Sequence, residues 1–257
     1  MTIARARLIE NFGRNAADYD VRANFQHTQT ARVVDAAHML VSAQANILDV
    51  GCGTGQFAEM SAATQPNWQI TGVDIAEGMC KVARARCTTI QADAEALPLA
   101  DASYDAVVSS LCLQWVAQLD TGMSEINRVL RPGGRVILAT LAQGTLSELH
   151  QAADVAALPL GLLAMRDVEE YKTAARKVGL EITMATSSCE IRHYATLRVL
   201  MDSMRDIGAG NNFTRSSQGL MGAKRWRIMA EAYELLRTPE GLPATWNHLF
   251  MILCKPL

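Results

Sequence analysis

The stretch Ile47-Leu48-Asp49-Val50-Gly51-Cys52-Gly53-Thr54-Gly55 decides the fold. Ile47, Leu48 and Val50 around Asp49 predict the end of a buried parallel strand. Three glycines at alternate positions then force a sharp turn, and a helix is expected from Gln56. A strand, a glycine turn and a helix aim backbone N–H groups and a positive helix end at a bound group. Glycine has no Cβ, so that group can come close to the backbone. The spacing G-x-G-x-G lacks the sixth-position glycine of the dinucleotide fingerprint, since Gln56 stands there. Asp49, two residues before the first glycine, suits a ligand carrying positive charge. A mononucleotide or dinucleotide turn is the competing reading.

Outward from this turn, strands alternate with helices. Trp68 to Val73 reads as a second strand ending in Asp74. An acidic residue about 20 positions beyond the glycines suits a ribose diol, whose hydroxyls need paired acceptors. The other reading of Asp74 is a cap for the helix that starts near Glu77. A short strand from Thr88 ends at Asp93, and Pro98 stops any helix behind it. Tyr104–Ser110 is β-branched at its centre and fits burial on both faces. Ligands in such sheets lie beyond the carboxyl ends of the strands, which places Leu111-Cys112-Leu113-Gln114-Trp115 at the site.

A helix is expected to about Leu130, then a turn at Arg131-Pro132-Gly133-Gly134 and a fifth strand over Arg135–Ala139. Residues 144–178 read as two helices broken at Pro159 and Gly161, the second capped by Gly179. A strand from Glu181 to about Arg192 and a last one from about Thr245 to Cys254 complete the sheet. Ahead of the glycine turn, Phe12 to Asp20 leads into a helical run to about Leu40, with Val33, Val34, Ala37, Met39 and Leu40 as its apolar face. The fold class is therefore α/β, a seven-stranded Rossmann-like sheet with its last strand antiparallel and helices on both faces.

Residues 196–237 exceed what such a core needs and predict a helical lid inserted before the last strand. The main domain is then residues 1–195 together with 238–257. One lid stripe is Leu197, Leu200, Met201, Met204 and Ile207; another is Trp226, Met229, Ala230, Tyr233 and Leu236. Within the lid Arg198, Arg205, Arg215, Lys224, Arg225, Arg227 and Arg237 outnumber Asp202, Asp206, Glu231 and Glu234. A solvated helix face explains such a run, and so does an acidic partner.

The 257 residues suffice for one large domain with a cap, and 49% hydrophobic content supplies a full core. A net charge of −2 argues against nucleic acid or an anionic membrane as partner. No apolar run of about 20 residues predicts a membrane span, and Arg5 and Arg7 have no apolar segment behind them to make a secretory signal. Cys52, Cys80, Cys87, Cys112, Cys189 and Cys254 form no C-x-x-C pair, so neither a metal site nor a disulfide framework is expected. Reduced thiols in a cytoplasmic protein are the simpler reading.

The glycine stretch resembles the first motif of the class I S-adenosylmethionine (AdoMet) methyltransferases. That resemblance implies that Gly51, Cys52, Gly53 and Gly55 cradle the methionine end of AdoMet, with Asp49 near its amino group. It further implies that Asp74 meets the ribose and Ile75 belongs to the cofactor site, that Asp93 and the Ala94 N–H meet the adenine, and that Tyr19 closes over the cofactor. Packing of the N-terminal helix on the sheet is the alternative role for Tyr19. Leu111 to Trp115 would face the methyl group, with Leu111 among the cofactor-binding residues and Tyr19, Gln114 and Trp115 as the substrate-side candidates. The N-P-P-Y-like motif of nucleic-acid base methyltransferases is missing here.

Pieces outside this core are similar to the malonyl-acyl carrier protein O-methyltransferases of biotin synthesis. They are Phe12 to Tyr19, Leu113-Gln114-Trp115, Gly144 to Leu149, Met204 to Ala209, Leu242-Pro243-Ala244-Thr245-Trp246 and His248-Leu249-Phe250. Residues 158–170 run short of that family's pattern. The resemblance implies methylation of the free carboxylate of a malonyl thioester on acyl carrier protein or coenzyme A, with no metal. Its acidic carrier would dock on Lys224, Arg225 and Arg227, with Arg205 and Arg215 in reserve. A carboxylate is already ionised at neutral pH and needs no general base, and none stands out. A methyltransferase for a quinone or other small molecule, with a base near Tyr19 or His248, is one alternative. A non-catalytic AdoMet-binding regulator is another.

Overall fold

A computed structural model describes residues 3–160, 163–206 and 220–257. Its strands are β1 (Asn46–Val50), β2 (Gln69–Asp74), β3 (Thr88–Gln91), β4 (Tyr104–Ser110), β5 (Leu130–Leu141), β6 (Glu181–Tyr194) and β7 (Leu242–Cys254). They form one sheet in the order β3-β2-β1-β4-β5-β7-β6. The first five pair in parallel, and β7 runs antiparallel between β5 and β6. Strand order reverses between β1 and β4, and a crevice opens at their carboxyl ends, where open α/β sheets bind ligands.

The helices are α1 (Ile3–Asn15), α2 (Tyr19–Arg22), α3 (Asn24–Leu40), α4 (Gln56–Ala62), α5 (Glu77–Ala83), α6 (Leu119–Val129), α7 (Ser147–Val155), α8 (Val168–Lys177), α9 (Leu197–Asp206) and α10 (Leu220–Glu234). Period-2 alternation along the strands divides them between two faces. Leu48, Val107, Val136 and Leu138 pack under α6 and α8 with Met123, Ile126 and Tyr171. Their chain neighbours Ile47, Ala106, Val108, Ile137 and Ala139 turn the other way, onto Val33, Val34 and Ala37 of α3 and Phe57 of α4. Each large aliphatic side chain fully buried in these layers contributes roughly 1.5–3 kcal/mol.

A further cluster lies past the carboxyl end of β5. There α7, α9 and α10 pack Leu149, Leu200, Met204, Met229 and Tyr233 around Leu242 and Trp246. The N-terminal segment packs separately, with Ala16, Phe12 and Tyr19 on Ala76 and Met79. Gly13 and Gly78 meet there so closely that a Cβ built on Gly78 would lie 2.2 Å from the Gly13 carbonyl oxygen.

Several sequence expectations are corrected. β3 ends at Gln91, and Asp93 lies in a turn closed against Ala96. β5 begins at Leu130, so the Arg-Pro-Gly-Gly turn is an irregularity within a strand: Tyr104 pairs with Leu130 and Ala106 with Arg135. Lys255 closes it, since Gly133 N–H donates to its carbonyl and its own N–H to that of Gly134. β7 starts at Leu242, taking in Pro243. Met39 is 78% exposed and Leu40 39%, because the apolar face of α3 ends at Ala37. Leu236 lies beyond the end of α10 and is also exposed. Ile207, Gly161, Arg215 and the Ile207 to Ala209 piece fall outside the described residues.

Candidate active site

At the carboxyl end of β1, Gly51, Gly53 and Gly55 all take positive φ, 75°, 54° and 87°. A Cβ built on Gly53 would meet nothing within 4 Å, so its backbone faces open space. That space is a cavity of about 1120 Å³ including its mouth, near the upper end of the roughly 300–1,000 Å³ usual for ligand pockets. Asp49, Gly51, Cys52, Gly53, Asp74, Ile75, Asp93, Ala94 and Leu111 line it. Gly55 stands behind as the N-cap of α4.

Two carboxylates dominate the cavity floor. Asp49 is 4% exposed, and desolvation, then the charge of Asp74, pushes its carboxyl up to about 7. Asp74 Oδ1 accepts the Ala76 N–H at 2.8 Å, and Oδ2 accepts the Gly53 N–H at 3.0 Å. Desolvation raises Asp74 as well, against the N–H groups of Ala76, Gly53 and Ile75. Its acceptors therefore tie β2 to the glycine loop, while the N-cap of α5 is Ala76. Among the described residues no Lys or Arg lines this cavity. Buried carboxylates without a cation of their own fit a positively charged ligand. The open backbone at Gly53 fits one that approaches the loop closely.

The N-terminal segment forms the roof. Tyr19 lines the cavity with Phe12 and Trp115, and burial pushes its phenol far up. Phe12 meets the Trp115 ring edge-on at 5.6 Å. Asp20, next in the chain, fastens roof to floor: it accepts from Thr54 Oγ1 at 2.6 Å, Gln56 Nε2 at 2.9 Å and Arg86 Nη1 at 2.8 Å. Burial works against its charge, yet the bonds from Gln56, Thr54 and Arg86 hold its carboxyl below the ordinary value. Sequence reading passed over Asp20 and Arg86, although Asp20 ends the quoted Phe12 to Asp20 stretch.

A second cavity of about 690 Å³ shares Phe12, Tyr19, Gln26, Leu111 and Trp115 with the first. Leu141, Leu146, Met165, Met204 and Trp246 make it apolar, with Gln114, Thr145 and His150 among its polar groups. Gln114 lines only this one. Arg166, inside the stretch that reads short, donates to the carbonyls of Val116 at 2.5 Å and Ala117 at 3.1 Å. It thereby clamps the turn carrying Gln114 and Trp115; no sequence motif marks it. His248 lines neither cavity: it is buried on β7 3.4 Å from Glu190, and desolvation lowers its pKa.

Of the basic lid residues, Lys224 and Arg227 are exposed and Arg225 is half-buried. Arg205 pairs with Asp202 at 2.9 Å, and Arg215 falls outside the described residues. Among the described residues no group of three or more His, Cys, Asp or Glu could hold a metal ion, and no helix is long and apolar enough to cross a membrane.

Residues 48–138 match the methyltransferase domain family. The chain is 34% identical to the malonyl-[acyl-carrier protein] O-methyltransferase of Dechloromonas aromatica (strain RCB), covering 98% of this chain and 95% of that one. It is 33% identical to the biotin biosynthesis bifunctional protein BioHC of Cellvibrio japonicus (strain Ueda107), matching over 99% of its own length but spanning only 51% of that relative. Among solved structures, the YcgJ protein of Bacillus subtilis superposes with a TM-score of 0.65 at 18% identity, over 90% of this chain and 99% of that one. The phosphoethanolamine N-methyltransferase 2 of Haemonchus contortus, solved with S-adenosylhomocysteine, gives 0.55 at 23% identity over 88% of this chain and 53% of that one. Likeness at these identities carries the class I methyltransferase fold. The identity shared with the curated relatives over nearly the whole chain carries the family: this protein is an AdoMet-dependent methyltransferase belonging to the malonyl-[acyl-carrier protein] O-methyltransferase family.

Proposed function

We propose that the enzyme methylates the free carboxylate of a malonyl thioester, carried on acyl carrier protein or coenzyme A. The product is the methyl ester that primes the pimeloyl chain of biotin. One observation carries this reading: an acidic, cation-seeking cavity opens at Tyr19, Leu111 and Trp115 into an apolar cavity with no lysine or arginine among the described residues that line it. A carboxylate nucleophile needs no base; of the two candidates for a base-dependent phenol or carbon acceptor, His248 stands in neither lining, and Tyr19 lines both but is kept protonated by burial.

In this reading Asp49 and the loop of Gly51, Cys52, Gly53 and Gly55 hold the amino-acid end of AdoMet. Asp74 and Ile75 hold the ribose, and Asp93 with the Ala94 N–H the adenine. When bound, AdoMet supplies a sulfonium methyl group, and the S–CH₃ bonding pair remains on sulfur as a carboxylate oxygen takes the methyl. The chain's own residues position and exclude water. Tyr19, Phe12 and Trp115 line the junction, and the turn clamped by Arg166 fixes the wall on the acceptor side. Well-aligned reactants can remove on the order of 7–11 kcal/mol of barrier.

The division into residues 1–195 with 238–257 and a lid over 196–237 belongs to the same proposal. Its support is Met204 of α9 in the second cavity and the seat of α10 on α7. We place the protein in the cytoplasm, where its six free cysteines stay reduced. The deciding experiment incubates the enzyme with AdoMet and malonyl-acyl carrier protein or malonyl-coenzyme A and measures product mass. A gain of one methyl group that esterase removes supports the reading; no gain on either thioester refutes it.

A further inference from the structure

We infer that Gln114 binds the substrate's free carboxylate through its amide nitrogen, and that Thr140 is the positioning residue that orients this amide. The inference rests on the carboxylate reading above and deepens it. Gln114 is 4% exposed and sits on the single 3₁₀ turn Leu113–Trp115 that follows β4. Its side chain lines the second cavity, beside the Leu111 and Trp115 shared by both. Its amide oxygen is committed, because Thr140 Oγ1 donates to it at 2.8 Å. Thr140 is 1% exposed on β5 and lies 3.4 Å from the hydroxyl of the fully buried Tyr171. The amide nitrogen is thus the polar group left for the cavity, and a buried donor of this kind calls for an acceptor.

The turn beneath it is braced by Arg166. Arg166 Nη1 reaches the carbonyls of Leu113 and Gln114 at 3.4 Å each, and Nη2 holds those of Val116 and Ala117. An acyl carboxylate threaded through the apolar cavity would meet the amide beside Leu111 and Trp115, which both cavities share.

Chemistry favours a neutral donor there. The attacking carboxylate loses its charge as it takes the methyl group, so a cation would stabilise the ground state more than the transition state. An amide N–H orients one carboxylate oxygen and leaves the other to attack. The charge-assisted bond is roughly twice as strong as a neutral one, so it weakens once the ester forms, which favours product release.

The test uses the full-length enzyme with malonyl-coenzyme A, reading KM, kcat and AdoMet affinity separately. Gln114→Met should raise KM about tenfold or more, and Gln114→Glu about a hundredfold, by the loss of a hydrogen bond to a charged group and by added repulsion. Acidifying toward pH 5.5 should partly restore KM in Gln114→Glu by protonating the introduced carboxyl, and leave Gln114→Met unrestored. Thr140→Val should raise KM several-fold by releasing the amide, while Thr140→Ser keeps the parent value. At any one pH, the AdoMet affinity of each variant should stay within about twofold of the parent's. Should Gln114 variants fail to fold, the Val and Ser pair at Thr140 decides alone: equal KM values overturn the inference. Wild-type turnover with an unchanged KM in folded Gln114→Met overturns this inference and leaves the carboxylate reading standing. A wild-type enzyme that makes no ester overturns the carboxylate reading and this inference with it.

Discussion

The carboxylate of Asp74 accepts the backbone N–H of Gly53 at 3.0 Å, so the acidic end of one strand holds the glycine loop of its neighbour in place. Each Asp74 oxygen still has a lone pair for a ribose hydroxyl. Asp74→Asn turns an NH₂ toward one of these N–H donors and should weaken AdoMet binding by about 2–4 kcal/mol. Calorimetry on the folded variant measures this, and unchanged affinity would remove Asp74 from the ribose site.

Asp49 should release a proton when AdoMet binds near neutral pH. Its free-enzyme pKa of about 7 reflects burial, then Asp74, and a bound cation favours the ionised form. Affinity should accordingly rise with pH up to about 7 and level off. The stability sign follows from linkage. The folded state holds this proton more tightly than the unfolded chain, so the contribution of Asp49 falls as pH climbs from about 4 to about 7. Asp49→Asn should raise cofactor-free stability at pH 8 by on the order of 2–4 kcal/mol while weakening AdoMet. Titrations in buffers of differing ionisation heat count the proton; release that persists in the variant assigns it elsewhere.

Loss of the Asp20 network should loosen the roof. Asp20→Ala leaves Thr54, Gln56 and Arg86 without their shared acceptor, and AdoMet dissociation should quicken about tenfold, given 1.5–3 kcal/mol for bonds to a charged group. With a depressed folded pKa, this fastening is present above the usual carboxylate range and lost as pH falls through the lowered value. Stopped-flow displacement of bound cofactor reads the rate.

At saturating AdoMet, single-turnover methyl transfer should be nearly flat from about pH 6 to 9, because the acceptor acid is ionised throughout. A tenfold climb per pH unit would indicate a general base and a different acceptor.

Reversing Lys224, Arg225 and Arg227 to Glu should raise KM for malonyl-acyl carrier protein about tenfold at low salt and change kcat little, since exposed charges act on encounter and are screened. Arg227 is 3.7 Å from Glu231 with both side chains largely exposed, so the pair stabilises the helix little. An unaltered KM and salt dependence would leave α10 a solvated face.

The glycine loop, its flanking strands and the acidic ends of β1 and β2 were legible because local rules dictate them. A positive φ calls for glycine, and burial on both faces calls for unbroken aliphatic runs. Asp20, Arg86 and Arg166 were not, because their roles exist only once distant segments meet. Arg166 touches carbonyls some fifty positions back along the chain, and nothing near it in sequence marks a clamp. The β5 irregularity escaped for the opposite reason: Arg-Pro-Gly-Gly reads locally as a turn, yet long-range pairing with β4 and Lys255 keeps it within the sheet.

Where Gly13 of α1 meets Gly78 of α5, backbone lies against backbone with no side chain between them. A methyl group at Gly78 would wedge that seam open. The consequence concerns timing rather than affinity. Phe12 and Tyr19, which line the first cavity, are carried by the segment seated at this seam, so a wedge there should change how fast a bound ligand exchanges. Substitution of Gly13 or Gly78 by alanine should therefore show first in the release rate of a bound cofactor rather than in the chemical step.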